Sequence, residues 1–191
     1  MITPHREERM KCWTLRLLGI GSLIVISHPL AAAAQTAPPE RVAIYRTIED
    51  PSVSSRPVAC PYADANVFLG AIVRAVETRA TDGQDVSDQV AQVGTAAACA
   101  KVTSLAAGAT APFYIEFTLN DGYYRADGTC TVISNNVPVP GLVLAGCALK
   151  IIEAPAGVLG GSFTSNSIFN PFRLAGFNTG SVWTRRTYLT P

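Results

Sequence analysis

The stretch FYIEFTLNDGYY, Phe113 to Tyr124, constrains the fold more tightly than any other. In an extended chain Phe113, Ile115, Phe117 and Leu119 fall on one face, and Tyr114, Glu116 and Thr118 on the other. That period of two marks a half-buried strand. Asn120-Asp121-Gly122 follows and supplies a hairpin turn, because glycine accepts positive φ. YYRADGTCTVIS then returns as a second strand. A hairpin with one apolar face must bury that face, so the chain is expected to build a sheet around it.

More strands follow the same logic. LVLAGCALKII (142–152) is apolar on both faces, which suits a central strand covered on each side. GGSFTSNSIF (160–169) and GSVWTRRTYL (180–189) read as strands, separated by Asn170-Pro171 and Asn178-Thr179-Gly180. NVFLGAIVRAVETRA (66–80) admits a helix capped by Asp64. Its Val/Ile content and the Asp82-Gly83 turn beyond it favour a strand. The expected fold class is all-β, a small antiparallel barrel of about eight strands, with a β-sandwich as the alternative. The barrel-like domain is placed at 60–191. Residues 35–59, with Pro38, Pro39, Pro51 and Pro57, read as an extended lead-in in which Val42 to Ile48 could form one short strand.

Residues 1–34 have a different composition. Arg6, Arg9, Lys11 and Arg16 precede an apolar run, Leu17 to Ile26, and small residues end at Ala34. This order is that of a secretory signal peptide cleaved after Ala33 or Ala34. The run is shorter than the roughly 20 residues that a membrane helix needs. Met10 offers a second start, which would leave residues 1–9 untranslated. The expected location is secreted or periplasmic, with no transmembrane segment. Cleavage removes both histidines, His5 and His28, and both methionines. The remaining chain carries 11 basic and 12 acidic residues. That balance gives no electrostatic reason to bind nucleic acid or an anionic surface.

Four cysteines remain after cleavage: Cys60, Cys99, Cys130 and Cys147. In an oxidising compartment an even count reads as disulfides, with three connectivities open. If 129–134 and 142–152 form a hairpin, pairing Ser134 with Leu142 puts Cys130 within one residue of Cys147. Cross-strand neighbours about 4.5–5.5 Å apart lie within disulfide range. The expected pairs are therefore Cys130–Cys147 and, by elimination, Cys60–Cys99. A metal or redox site is the weaker reading, since no C-x-x-C occurs and no histidine is left to join a ligand set. No metal and no cofactor are expected.

The missing imidazole excludes a Ser-His-Asp triad and a Cys-His pair. No G-x-S-x-G elbow and no Walker loop occur in the exported part. Gly160-Gly161-Ser162 reads as a turn or bulge rather than a phosphate cradle. Asp82, Asp85 and Asp88 could offer oxygen ligands to calcium, but their spacing is not that of an EF-hand, and a solvated acidic loop accounts for them. Tyr114, Glu116, Tyr124 and Trp183 are the candidate cavity residues, with Tyr123 beside them. Glu116 becomes a cavity carboxylate with a raised pKa only if the Phe113 face points outward; if Phe and Ile fill the barrel it is solvent-exposed, the favoured reading. The aromatics also read as core packing. Arg185 and Arg186 occupy adjacent strand positions and must point to opposite faces.

DQVAQVGTAAACAKV (Asp88 to Val102), FYIEFTLNDGYYRADGT and GLVLAGCALKI together resemble the strand sequence of allene oxide cyclases and the related dirigent proteins. A glycine-led strand carries a cysteine, an aromatic-rich strand and a Gly-containing hairpin follow, and then a glycine-containing apolar strand. The resemblance covers Asn66 to about Leu189. It implies an antiparallel barrel of eight strands around an apolar cavity. The family's G-G-T/S-G-x-F turn is absent, with LAGCALKI in its place, and the cyclases' amino-terminal catalytic glutamate has no counterpart. Cyclase activity is therefore not carried over.

Two functions remain. The first is a non-catalytic exported β-domain that binds a small apolar ligand or an envelope component. The second is a cyclase-like or dirigent-like enzyme that guides cyclisation or coupling of a hydrophobic substrate by holding one conformation. A cavity of several hundred cubic ångströms with a buried carboxylate or tyrosine would favour the second. An outer-membrane barrel is disfavoured by two disulfides and a broken alternation.

Overall fold

The computed structural model describes residues 37–191, so the expected leader and its expected cleavage site lie outside the described residues. Eight strands form a closed antiparallel barrel in consecutive order. They are β1 (Glu40–Glu49), β2 (Val67–Ala75), β3 (Gln92–Ala100), β4 (Thr110–Leu119), β5 (Gly122–Ser134), β6 (Val143–Glu153), β7 (Val158–Phe169) and β8 (Gly180–Leu189). β8 pairs with β1 from Glu40↔Tyr188 to Ile48↔Gly180, which closes the ring. The barrel, both disulfides and the core cluster all lie within residues 37–191. The sandwich alternative is not formed. Among the described residues no helix is long and apolar enough to cross a membrane.

Inward positions on β4 are Ile115, Phe117 and Leu119, as the alternation requires, with Phe113 packed against the same cluster. Phe117 stacks on Phe163 at 4.6 Å between centroids and meets Trp183 edge-on at 5.6 Å. Eight strands leave room for side chains to fill the interior or for one small ligand. Within the 66–80 stretch Val67–Ala75 is a strand, β2, as its β-branched content favours.

The lead-in assignment requires correction: within residues 35–59, Glu40–Glu49 belongs to the barrel. β1 is a full barrel strand of ten residues. Its pattern hides this. Val42 and Ile44 face outward and are exposed, whereas the buried positions are Tyr45 and Thr47. A strand with its aliphatics outside and its polar-tipped residues inside does not announce a core face.

β6 is also not covered on both sides. Val143, Cys147, Leu149 and Ile151 point inward and are buried, while Ala148, Lys150 and Ile152 are exposed. The hairpin register differs from expectation by a bulge. Ser134 pairs with Leu144, not Leu142, and a shift between Val132 and Ser134 brings Cys130 directly opposite Cys147. Both expected disulfides form, Cys60–Cys99 and Cys130–Cys147. They fit an oxidising compartment.

Residues 50–66, between β1 and β2, form a strap over the outer face of β2, β3 and β4. Its seat is made by Gly70: a Cβ there would stand 2.3 Å from the Val53 carbonyl oxygen. Arg56 lies over the Phe68 ring at 4.5 Å. Cys60 is bonded to Cys99, which points outward from β3 and is fully covered. Asn66 exchanges two hydrogen bonds with Val102, and Tyr62 donates to Asp127. Among the described residues no such strap lies over β6 to β8, where Ile168 and Val182 are exposed, as is Ile44 on β1.

Candidate functional site: an apolar cavity at one end of the barrel

Side-chain size divides the interior in two. At the end bearing the strap and the connections 101–109, 135–142 and 170–179, the inward residues are small. Ala96, Ala98 and Ala100 on β3, Ala111 on β4, Ala145 on β6, and Ser167 and Ser181 on β7 and β8 leave space that larger residues would fill. The result is a partly open cavity of about 80 Å³, with Leu69, Val132 and Val143 on its walls and Phe113 and Trp183 at its base. A gap of about 30 Å³ lies against the other side of the same two aromatics, beside Ala71, Ala96 and Ala98. The Cys130–Cys147 disulfide forms part of the cavity wall.

The polar atoms of this cavity are serine and threonine hydroxyls and backbone. Its wall has no acidic, basic or tyrosine side chain. Glu49 is the one carboxylate beside the smaller gap, and it accepts the Thr179 N–H at 3.3 Å. Trp183 points inward and donates its indole N–H to Thr47 Oγ1 at 3.2 Å, so its polar edge is satisfied and its apolar faces remain for contact.

The other end is plugged. Arg185 on β8 is 1% exposed. It grips Asp121, in the β4–β5 turn, with two hydrogen bonds of 3.0 and 2.6 Å. Its guanidinium lies 4.6 Å from the Tyr124 ring centroid and 5.4 Å from that of Tyr45. The Arg185 hydrogen bonds hold the Asp121 carboxyl below its ordinary pKa, and burial pushes the Tyr45 phenol up to about 12. Arg185 Nε is buried without a partner. Arg186 points outward to Glu40 at 3.0 Å, so the adjacent arginines do take opposite faces.

The four candidate residues therefore divide. Trp183 lines the cavity. Tyr124 points inward but packs in the plugged half, against Phe163 and Arg185. Tyr114 and Glu116 are on the outer face, beneath the strap. Glu116 is neither exposed, as favoured, nor a cavity carboxylate with a raised pKa. It is 6% exposed and accepts the N–H groups of Val58 and Ala59, both at 2.9 Å, and the Tyr114 hydroxyl at 2.9 Å. Burial alone would raise its pKa; those donors outweigh burial and hold the carboxyl below its ordinary value. Burial and the neighbouring carboxylate together push the Tyr114 phenol up. Tyr123 shares this outer cluster and accepts from Arg125 Nε at 3.1 Å.

The acidic loop is ion-paired. Arg79 meets Asp82 at 3.1 Å, and Arg46 meets Asp85 at 3.2 Å and Asp88 at 3.0 Å. The pairing of Arg185 with Asp121 inside the barrel is what the sequence reading does not include. The signal was present: two adjacent arginines on a strand of a closed barrel require one of them to enter the interior.

Chemically, the cavity can hold an apolar group and offer it hydroxyl hydrogen bonds. The ionised side chains nearest to a catalytic arrangement, Glu116 and Arg185, are each engaged by partners outside it. Compared with family models, curated proteins and solved structures, the chain gives no match.

Proposed function

We propose that this is an exported binding domain whose barrel cavity receives the apolar end of a small ligand without transforming it. The observation that carries this reading is the cavity wall itself: alanines, aliphatics, Phe113 and Trp183, with hydroxyls as the side-chain polar groups. Its volume of about 80 Å³ is below the roughly 300–1,000 Å³ of sites that enclose a whole ligand. The ligand therefore inserts one end and leaves the rest at the mouth. The leader, clipped near Ala34, delivers the chain to the periplasm or the medium, where the two disulfides can form.

An enzyme guiding an apolar substrate, as the cyclase-like and dirigent-like resemblance implies, is the second reading. Glu49, beside the smaller gap, is the observation in its favour. The small volume and the hydroxyl-only polar set weigh against it.

Trp183 is the one tryptophan in residues 35–191, so its emission reports on the cavity directly. Benzene and a series of n-alkanols are titrated against that chain. Saturable change in emission is expected, with affinity rising over the first few carbons and then levelling off. Ala145→Phe, which fills the cavity, should abolish it while leaving the β-type circular dichroism intact; Ala145→Leu is the milder form should phenylalanine overpack. A response that never saturates, or that survives both variants, would sink the proposal.

A further inference from the structure

The connections around the cavity mouth have an unusual composition. Surface loops are ordinarily polar. Residues 101–109 (KVTSLAAGA), 135–142 (NNVPVPGL) and 170–179 (NPFRLAGFNT) hold no acidic residue. Phe172 is 65% exposed and Phe177 42% exposed. Ala106, Ala107, Pro138 and Pro140 are exposed as well. These loops are neighbours: a Cβ at Gly141 would touch Leu174 at 3.2 Å and Phe172 at 3.4 Å. Val102 and Leu105 of the first loop line the cavity, and so do Phe169 and Thr179, which flank the third. The apolar rim is thus continuous with the apolar cavity.

The rim is also held in shape. Asn170 is buried and ties its loop closed, donating to the carbonyls of Leu174 and Phe177 at 3.0 and 2.8 Å and accepting the Leu174 N–H at 2.9 Å. Phe172 and Phe177 are therefore presented to water by a fixed loop, not by an unstructured tail.

Charge is distributed the opposite way. The connection at the other end, residues 76–91, carries Glu77, Asp82, Asp85 and Asp88, of which Asp82 pairs with Arg79 and Asp85 and Asp88 with Arg46, and Asp121 at the same end pairs with Arg185. At the mouth, Lys101 is neutralised by Asp64 of the strap at 2.5 Å. Arg173, next to Phe172, has no carboxylate partner among the described residues, and Asp50 opens the strap on the same side. One end of the barrel is apolar with few charges, and the other carries most of the ion pairs.

We infer that the mouth end docks on a lipid surface, with Phe172 and Phe177 entering the interface around the cavity opening. The inference rests on the apolar-ligand reading above, because a ligand of that kind resides in lipid rather than in water, and a site that receives it gains by opening onto lipid. Apolar area drives the docking; the end that carries most of the ion pairs is kept facing water. Arg173 adds a modest attraction to anionic headgroups. A protein partner or a second copy could cover the same rim, and the test separates them.

Residues 35–191 are mixed with phosphatidylcholine vesicles, and with vesicles that also contain phosphatidylglycerol, and sedimented. Binding to both is expected, stronger to the second. Phe172→Ser with Phe177→Ser should weaken it by about tenfold or more, since two exposed aromatic side chains lose their transfer into lipid. Both residues are exposed, so the fold should survive; Trp183 titration with the soluble probes, done without vesicles, confirms this. Retained titration with no sedimentation by the unaltered chain refutes the docking and leaves the ligand reading standing. Sedimentation without titration refutes the ligand reading and leaves docking standing. Vesicle binding unchanged by the double substitution overturns the assignment of the rim. So does a dimer, seen by analytical ultracentrifugation, that the substitution dissolves.

Discussion

Glu116→Gln tests the description of the strap directly. The carboxylate accepts two consecutive backbone N–H groups and one phenol, each at 2.9 Å. Glutamine keeps the shape but has one oxygen, and its amide NH₂ must face one of the donors. One charge-assisted bond is lost, worth about 1.5–3 kcal/mol, and an N–H is left facing another donor. Val58 itself is well exposed, so water recovers part of the cost. A loss of about 2 kcal/mol is expected, which corresponds to about 30-fold faster hydrogen exchange at the Val58 and Ala59 amides. The disulfide at Cys60 keeps the strap tethered, so the effect should be local first and only partly visible in a urea melt.

The same substitution predicts a pH signature. The folded pKa of Glu116 is depressed below the unfolded value near 4.5. Its stabilisation is therefore complete above that value and is lost as pH falls through the lower folded value. The unaltered protein should loosen its strap in acid, and the glutamine variant should show a flatter acid limb over that window. If Val58 and Ala59 exchange no faster in the variant, and the acid limbs coincide, the carboxylate is not what holds the strap.

Three further outcomes follow from the geometry. Asp121→Asn leaves Arg185 buried beside a neutral partner; about 2 kcal/mol should be lost, less than the 3–5 typical of fully buried pairs because Asp121 is about a third exposed. Adding Arg185→Met should recover much of that loss in chemical denaturation, and a double variant no more stable than the single would refute the pairing. Cys130→Ala with Cys147→Ala opens a loop with a sequence separation of 17, and Cys60→Ala with Cys99→Ala one of 39. The chain-entropy relation gives about 3 and about 4 kcal/mol, so the second pair should cost more in urea unfolding. Gly70→Ala drives a methyl into the Val53 carbonyl and should displace the strap, seen as faster reduction of Cys60–Cys99 by a mild thiol.

Much of the barrel is legible in the chain because its strands alternate cleanly. Phe113 to Leu119 with Asn120-Asp121-Gly122 gives the β4–β5 hairpin, and the near symmetry of Cys130 and Cys147 about a turn gives their bond. The register was off because a bulge near Ile133 adds a residue that no periodicity reveals. β1 was under-read because its aliphatics face water. Glu116 was misplaced because its cover comes from residues 58 positions away, in a segment with no regular structure. Tyr114 followed it, being on the same face. The small-residue half of the interior is written in Ala96, Ala98 and Ala100, but a run of alanines shows a cavity only once the opposing strands are known.

The pairing of β1 with β8 has a consequence for how the molecule comes into being. These strands are the first and last of the ring, and they share nine register positions. During synthesis every earlier strand can find its neighbour at once, but β1 has an open edge until β8 emerges. A partly made sheet of this kind is sticky toward its own copies. Ring completion joins residues about as distant in the chain as they can be, so it should be the slow step of folding. The growing chain therefore has reason to stay extended, or be held by a chaperone, until the ten residues of β8 arrive.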